Sequence, residues 1–182
     1  MQSIQQIDEA FTEAKKALLI YIEKLSFEER CTFKLNKTHI PEIPWGTLKY
    51  PGVYMIEIKN KGNHDSVESW INEFRLKWED DKYKKHFTPN LRKKRIKEHV
   101  KLEEWIPIYI GKSRKIEGRI HEHIFKDLFK TTFALKLNAR ENLQNEVFRL
   151  HTIKCEADNY DLIVPLIESK MRDRLNPLIG RQ

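Results

Sequence analysis

Three separated pieces of this 182-residue chain carry side chains with usable chemistry. They are Gly52-Val53-Tyr54, the run Tyr109-Ile110-Gly111-Lys112-Ser113 with Arg119 and His123 behind it, and Glu168. Each tyrosine sits at the end of a run of branched apolar residues. Val53 and Ile110 can therefore face a core while both phenols face the other side of a sheet. Arg119 and His123 are four residues apart, so a helix presents them on one face. Phosphodiester hydrolysis needs an activated water, a proton acceptor, charge stabilisation at the phosphate and help for the leaving oxygen. A tyrosine beside cations can serve the first two. Arg119, with Lys112, can serve the third through paired hydrogen bonds to phosphate. A hard cation held by Glu168 can serve the fourth.

Taken singly, each of these residues has a plainer role. Strand-end tyrosines usually pack, a lone arginine usually forms an ion pair, and a helical glutamate is usually solvated. The chemical reading rests on their order as a set. His121 and His123 cannot both share the Arg119 face, and His123 fits that face better.

The elements that must position these groups follow from hydrophobic period. Ile4, Ile7, Phe11, Ala14, Leu18, Ile22 and Leu25 recur at helical spacing, predicting a helix over 4–25. Ser26 followed by Glu28 and Glu29 suggests a short helical start, and the prolines and glycine of 36–51 suggest loop. Gly52–Ile58 and Ile106–Ile110 read as strands, and Phe148–Cys155 as a third. Val67, Trp70, Ile71, Phe74 and Trp78 make an amphipathic helix whose aromatic face suits packing better than base stacking. Helices are also expected after Pro89, over Ile116–Phe129, more weakly over Ala139–Val147, and over Leu162–Leu175, where Asn176-Pro177 stops the chain's last helix. Strands and helices are interleaved, so the class is α/β or α+β with a small sheet, in which a turn can join close neighbours antiparallel. Residues 1–50 read as an N-terminal helical arm and 51–182 as the main domain. Within that domain, 59–104 is a basic, helical insertion between the first two strands.

Charge separates partner classes. The chain has 34 Lys and Arg, 27 Asp and Glu and a net charge of +7. Nine of the basic residues fall between Lys82 and Lys101 with Glu98 as the only acid, so the rest of the chain is close to neutral. Lys84, Lys85, Arg92, Lys93, Lys94, Arg95 and Lys97, interleaved with Tyr83, His86 and Phe87, suit a phosphate-tracking arm. The expected partner is nucleic acid first and an anionic membrane second. The longest apolar run near the N-terminus, Ala17–Ile22, is too short to span a bilayer. Cys31 and Cys155 have no metal-binding spacing and are expected to be buried thiols of a cytoplasmic protein.

Gly52-Val53-Tyr54 with Tyr109-Ile110-Gly111-Lys112-Ser113 resembles the paired signature of the GIY-YIG nuclease superfamily, in its restriction- and homing-endonuclease-like branch. Arg119 and His123 follow at that family's offsets, with Ile116 at its apolar position before the arginine. Glu168, with Pro177 trailing its helix, resembles the family's metal-binding glutamate. The resemblance implies a compact α+β fold with a small central three-stranded antiparallel sheet flanked by helices, and Mg²⁺ or Mn²⁺ bound chiefly by Glu168, with no small-molecule cofactor. It implies attack of water on DNA assisted by Tyr109 or Tyr54, with Lys112 tuning a phenol, Arg119 on the scissile phosphate and His123 in support. Two departures stand out. The tyrosine motifs lie far apart in sequence, so the stretch between them reads as an insertion that would set the cationic arm beside the site. Gly180 stands where the family commonly has asparagine, with Asn176 nearby.

The first expectation is therefore a divalent-metal-dependent DNA endonuclease. The alternative is a catalytically silent nucleic-acid-binding protein on the same scaffold. A membrane-surface protein would account for the charge but leave the ordered residues unexplained. Cutting both strands needs two chains or two events, and the apolar stripe of the N-terminal helix is a candidate homodimer contact.

Overall fold

The computed structural model describes residues 2–35, 43–85 and 87–180. Helix α1 (Ile4–Lys24) opens on a capping box in which the Ser3 hydroxyl accepts from the Gln6 amide and the Gln6 side chain accepts from the Ser3 amide. Strand β1 (Glu28–Lys34) follows, where the sequence suggested a helical start. Here the two-residue period wins over the Ser-Glu signal. Phe33 turns into the core and stacks on Phe148 at 5.6 Å, while the Arg30 Nε donates to the Thr152 hydroxyl at 2.7 Å.

The remaining strands of the main sheet are β2 (Gly52–Lys59), β4 (Trp105–Ser113) and β5 (Val147–Lys154). All pairings are antiparallel and the order is β1-β5-β2-β4, so the sheet has four strands rather than three. The extra strand is β1, drawn from residues expected to belong to a helical arm. A bulge between Ile56 and Glu57 shifts the β2–β4 register, so Ile56 opposes Tyr109 and Ile58 opposes Ile106. The shift lets Ile106 and Tyr109 share one face although they are three positions apart.

That face carries Tyr54, Ile56, Ile58, Phe148 and Leu150. It is covered by α2 (Val67–Glu79) and α4 (Ile116–Phe125). Trp70, Phe74 and Trp78 of α2 are buried and stacked at 5.3 and 6.0 Å, the packing role expected of them. The opposite face, with Val53, Met55, Ile110 and Ile153, lies under α5 (Tyr160–Leu175) and the end of α1 at Ile22. α5 starts at Tyr160 and carries Pro165 in its second turn.

Three expected helices shrink. The basic stretch forms only α3 (Lys93–Ile96), after a two-residue strand β3 (Asn90–Leu91) that pairs with β6 (Ile179–Gly180). Its like charges cannot pay for a long helix, and its backbone is tied to the chain terminus instead: the Arg92 amide donates to the Leu178 carbonyl at 2.8 Å. The stretch 139–147 is two 3₁₀ turns, Leu137–Ala139 and Glu141–Leu143. The cause is Arg140, whose buried guanidinium donates to the carbonyls of Leu135, Trp78 and Tyr83 and lies 3.7 Å from the Trp78 ring. Burial lowers its pKa to about 10. Helix α4 stops at Phe125, four residues short of Phe129. Cys31 and Cys155 are half-buried and form no disulfide.

Two glycines predict opposite outcomes. A Cβ on Gly52 would sit 2.0 Å from the Ile153 carbonyl oxygen, a backbone atom of the adjacent strand. Gly118, inside α4, has open space. Urea unfolding should show Gly52→Ala destabilised by about 2 kcal/mol or more. Gly118→Ala should be stabilised by up to about 1 kcal/mol. A neutral Gly52→Ala would contradict the β2–β5 register.

Candidate active site

The site begins with the missing side chain at Gly111. The β2–β4 register sets Tyr54 opposite Gly111, and a Cβ there would lie 2.4 Å from the Tyr54 hydroxyl and 2.9 Å from the Tyr109 ring. Only glycine leaves room for the phenol to cross its neighbour strand. Tyr54 and Tyr109 then stack with ring centroids 6.1 Å apart.

Helix α4 delivers the next groups. Its first amides are satisfied by backbone, with Ile116 donating to the Tyr50 carbonyl and Glu117 to the Leu48 carbonyl. Ser113 closes the turn between β4 and α4, its hydroxyl accepting from the Lys115 amide at 3.0 Å. From this fixed start Arg119 and His123 reach the tyrosines.

His123 is fully buried. Its Nδ1 accepts from the Leu135 amide at 3.0 Å, and its Nε2 lies 2.8 Å from the Tyr54 hydroxyl. An amide can only donate, so Nδ1 is the bare nitrogen and the proton sits on Nε2. His123 therefore donates to Tyr54. Burial, then the Arg119 charge, holds the imidazole well below the usual histidine range, so it stays neutral. Burial also holds the Tyr54 phenol well above the usual tyrosine range, with Tyr109 adding to the shift and the adjacent Arg119 opposing it. Tyr54 is thus a neutral phenol whose oxygen is held by His123, leaving its own proton to point elsewhere.

Arg119 donates to the Glu122 carboxylate and, at 2.6 Å, to the Phe133 carbonyl. Burial acts to lower its pKa, but Tyr54, Glu122 and Tyr109 raise it overall, so the guanidinium stays charged. Across the cleft, Glu168 of α5 is buried at 8 % exposure. Lys112 Nζ lies 3.1 Å from one of its oxygens and Arg172, one turn along α5, lies 3.7 Å from the other.

An open cleft of about 260 Å³ joins these groups. Five of the six expected catalytic residues line it, namely Tyr54, Tyr109, Lys112, Arg119 and Glu168, while His123 stands behind Tyr54. Arg172, Pro89, Phe133, Ile110 and Gly111 complete the wall. Arg172 was not foreseen. Its spacing of four from Glu168 on one helix is the signal that could have found it, and its Nε is buried without a hydrogen-bond partner. The Leu135 amide that fixes His123 had no sequence signal at all. Asn176 does not reach this cleft. It caps α5 in the left-handed conformation at φ 49°, and its carbonyl accepts from His99 Nε2 at 2.8 Å.

The basic stretch borders the cleft through Pro89, whose carbonyl accepts from Trp78 Nε1 at 2.9 Å. Its charges divide into two groups. Arg95 is bound to the Arg172 carbonyl and, at 3.1 Å, to Asp173, and Arg92 is half-buried beside Gly180. Lys84, Lys93, Lys94 and Lys97 are exposed, and Lys85 is half-buried with its ammonium donating to the Asp81 carbonyl. His86 lies outside the described residues.

Two outcomes follow from this geometry. Because the folded state resists protonating His123, the unfolded chain binds more protons below its ordinary value of 6.5. Stability should be full above that pH and fall as the pH drops below it. His123→Gln should flatten that acid limb in urea-unfolding series, and ¹⁵N NMR should show a neutral ring with the proton on Nε2 at pH 6. A ring that titrates normally would contradict the account. For the basic stretch, changing Lys84, Lys93, Lys94 and Lys97 to Gln should flatten the log–log salt slope of duplex DNA binding, by about 0.9 for each lost phosphate contact. An unchanged slope would remove these lysines from the interface.

Comparison of the chain with protein-family models, with curated proteins and with solved structures gives no match in any of the three.

Proposed function

We propose that the protein is a divalent-metal-dependent DNA endonuclease of the GIY-YIG type. The observation that carries this reading is convergence. Residues from Tyr54 to Glu168, on β2, β4, α4 and α5, gather at one polar cleft.

The residues fit a hard cation of limited protein coordination. Among the described residues no cluster of three His, Cys, Asp or Glu forms. Magnesium keeps several waters and takes one or two carboxylates plus substrate phosphates, so a single glutamate facing an open cleft suits it. Glu168 would hold the ion, and Lys112 and Arg172 must then release its oxygens. When bound, the ion would stabilise charge on the leaving oxygen. Arg119 remains cationic beside the phenols and would take the scissile phosphate. Tyr54, its oxygen held by His123, would position the attacking water, whose proton would pass to a non-bridging oxygen of the scissile phosphate. Tyr109 stacks alongside and keeps that phenol in place. Lys112 would add charge at the phosphate.

One observation favours the second reading, a catalytically silent nucleic-acid-binding protein. Glu168 is already neutralised from both sides by Lys112 and Arg172, and Arg119 by Glu122. Such pairing is a stable resting arrangement that needs no metal.

Plasmid cleavage separates the two. With Mg²⁺ or Mn²⁺ the protein should nick or linearise the plasmid, and EDTA should abolish it. Glu168→Gln and Arg119→Ala should each lower the rate on the order of 10²-fold or more, with circular dichroism unchanged. Retained DNA binding with no cleavage under any divalent ion would establish the silent binder.

A further inference from the structure

We propose that Phe129 stacks on an unpaired base of the nucleic-acid strand bound at the cleft. The inference rests on nucleic-acid binding at that cleft, which both readings above share, and not on cleavage.

Phe129 is 78 % exposed and stands on the turn that follows α4. The turn is built rather than loose. The Asp127 carboxylate accepts from the Phe129 amide at 2.8 Å, and the Asp127 carbonyl accepts from the Lys130 amide at 3.2 Å. Lys136 secures the same turn from inside. It is fully buried, and its ammonium donates to the Leu128 carbonyl at 3.0 Å and to the Lys130 carbonyl at 2.8 Å, one on each side of Phe129. A buried ammonium is costly unless it is hydrogen-bonded. Lys136 also holds a left-handed backbone at φ 56°, which a lysine seldom adopts. Both features fix the tip that presents the Phe129 ring.

The same loop is tied to the site. The Phe133 carbonyl accepts from Arg119, and the Leu135 amide donates to His123. Phe133 itself lines the cleft. Four residues of chain span at most about 14 Å. At about 3.4 Å per nucleotide along a strand, Phe129 lies within roughly four nucleotides of the cleft.

The surrounding charge identifies what the ring meets. Lys85 Nζ lies 5.8 Å from the Phe129 ring centroid, and Lys84 and Lys130, next in sequence to each of these residues, are exposed. Phe87 of the basic stretch packs edge-on against Phe133 at 5.4 Å, which joins that stretch to the loop. A phenyl ring rimmed by ammonium groups suits a strand whose phosphates the lysines track while a base lies on the ring. Inside a duplex both faces of a base are covered by its neighbours, so the base that meets Phe129 has left the stack. A bilayer would need a wider apolar surface than one ring.

Fluorescence anisotropy in EDTA tests this with the full-length protein and a short DNA single strand, so that cleavage plays no part. Phe129→Ala should weaken binding about tenfold or more, with unchanged circular dichroism. Its log–log salt slope should match the wild type, because stacking releases no counterion. Phe129→Trp should keep the affinity and Phe129→Leu should not. A strand of equal length and charge that lacks its bases should bind the wild type and Phe129→Ala equally weakly, since the partner of the ring is then gone. Equal affinity of the wild type and Phe129→Ala for the intact strand, or full affinity in Phe129→Leu, would overturn the proposal and leave the nuclease reading standing. Binding to phosphatidylserine vesicles that needs Phe129, with strand binding that does not, would overturn it in favour of a membrane contact. A wild type that binds no strand would overturn it together with both readings of the cleft.

Discussion

The contact between Tyr54 and Gly111 is the constraint from which the rest of the site follows. A phenol can cross to the neighbouring strand only where that strand offers no Cβ, and the β2–β4 register puts the glycine there. Once Tyr54 lies over Gly111, its oxygen reaches His123 and its ring meets Tyr109. Those two contacts orient the face of α4 that carries Arg119. The buried imidazole, with its tautomer fixed by the Leu135 amide, then makes the phenol an acceptor from behind. Backbone geometry, one missing methyl group and one amide thus determine that His123 donates to Tyr54.

The charges around the cleft are arranged in opposed pairs. Arg119 sits with Glu122, and Glu168 sits between Lys112 and Arg172. Burying these groups alone would be costly, and pairing offsets that cost. On the proposed reading, a phosphate would replace Glu122 on Arg119 and a cation would replace Lys112 at Glu168. The aromatic face of α2 supports this wall from outside through Trp78, which holds Pro89 beside the cleft.

Much of this was legible in the sequence because it depends on local period and on spacing. The strands at Gly52 and Ile106, the aromatic helix and the shared face of Arg119 and His123 follow from residue type alone. The edge strand β1 was not legible. Its Ser26-Phe27-Glu28-Glu29 start has the composition of a helix cap, and only pairing with β5, more than a hundred residues away, makes it a strand. The turns around Arg140 were hidden for a related reason: a guanidinium that caps three distant carbonyls overrides helix propensity, and the sequence does not show which carbonyls it will meet. The long basic segment also read too simply. Half of its meaning is structural, because Arg92 and Arg95 fasten it to the end of the chain.

The most direct test of the central claim is the fate of the attacking oxygen. Single-turnover cleavage of a duplex in H₂¹⁸O with Mg²⁺ should place one ¹⁸O on the product phosphate, with no protein-linked DNA, and Glu168→Gln should yield no labelled product. A covalent tyrosyl-DNA adduct without solvent oxygen would contradict water attack, and a wild type that leaves the duplex intact would contradict the nuclease itself.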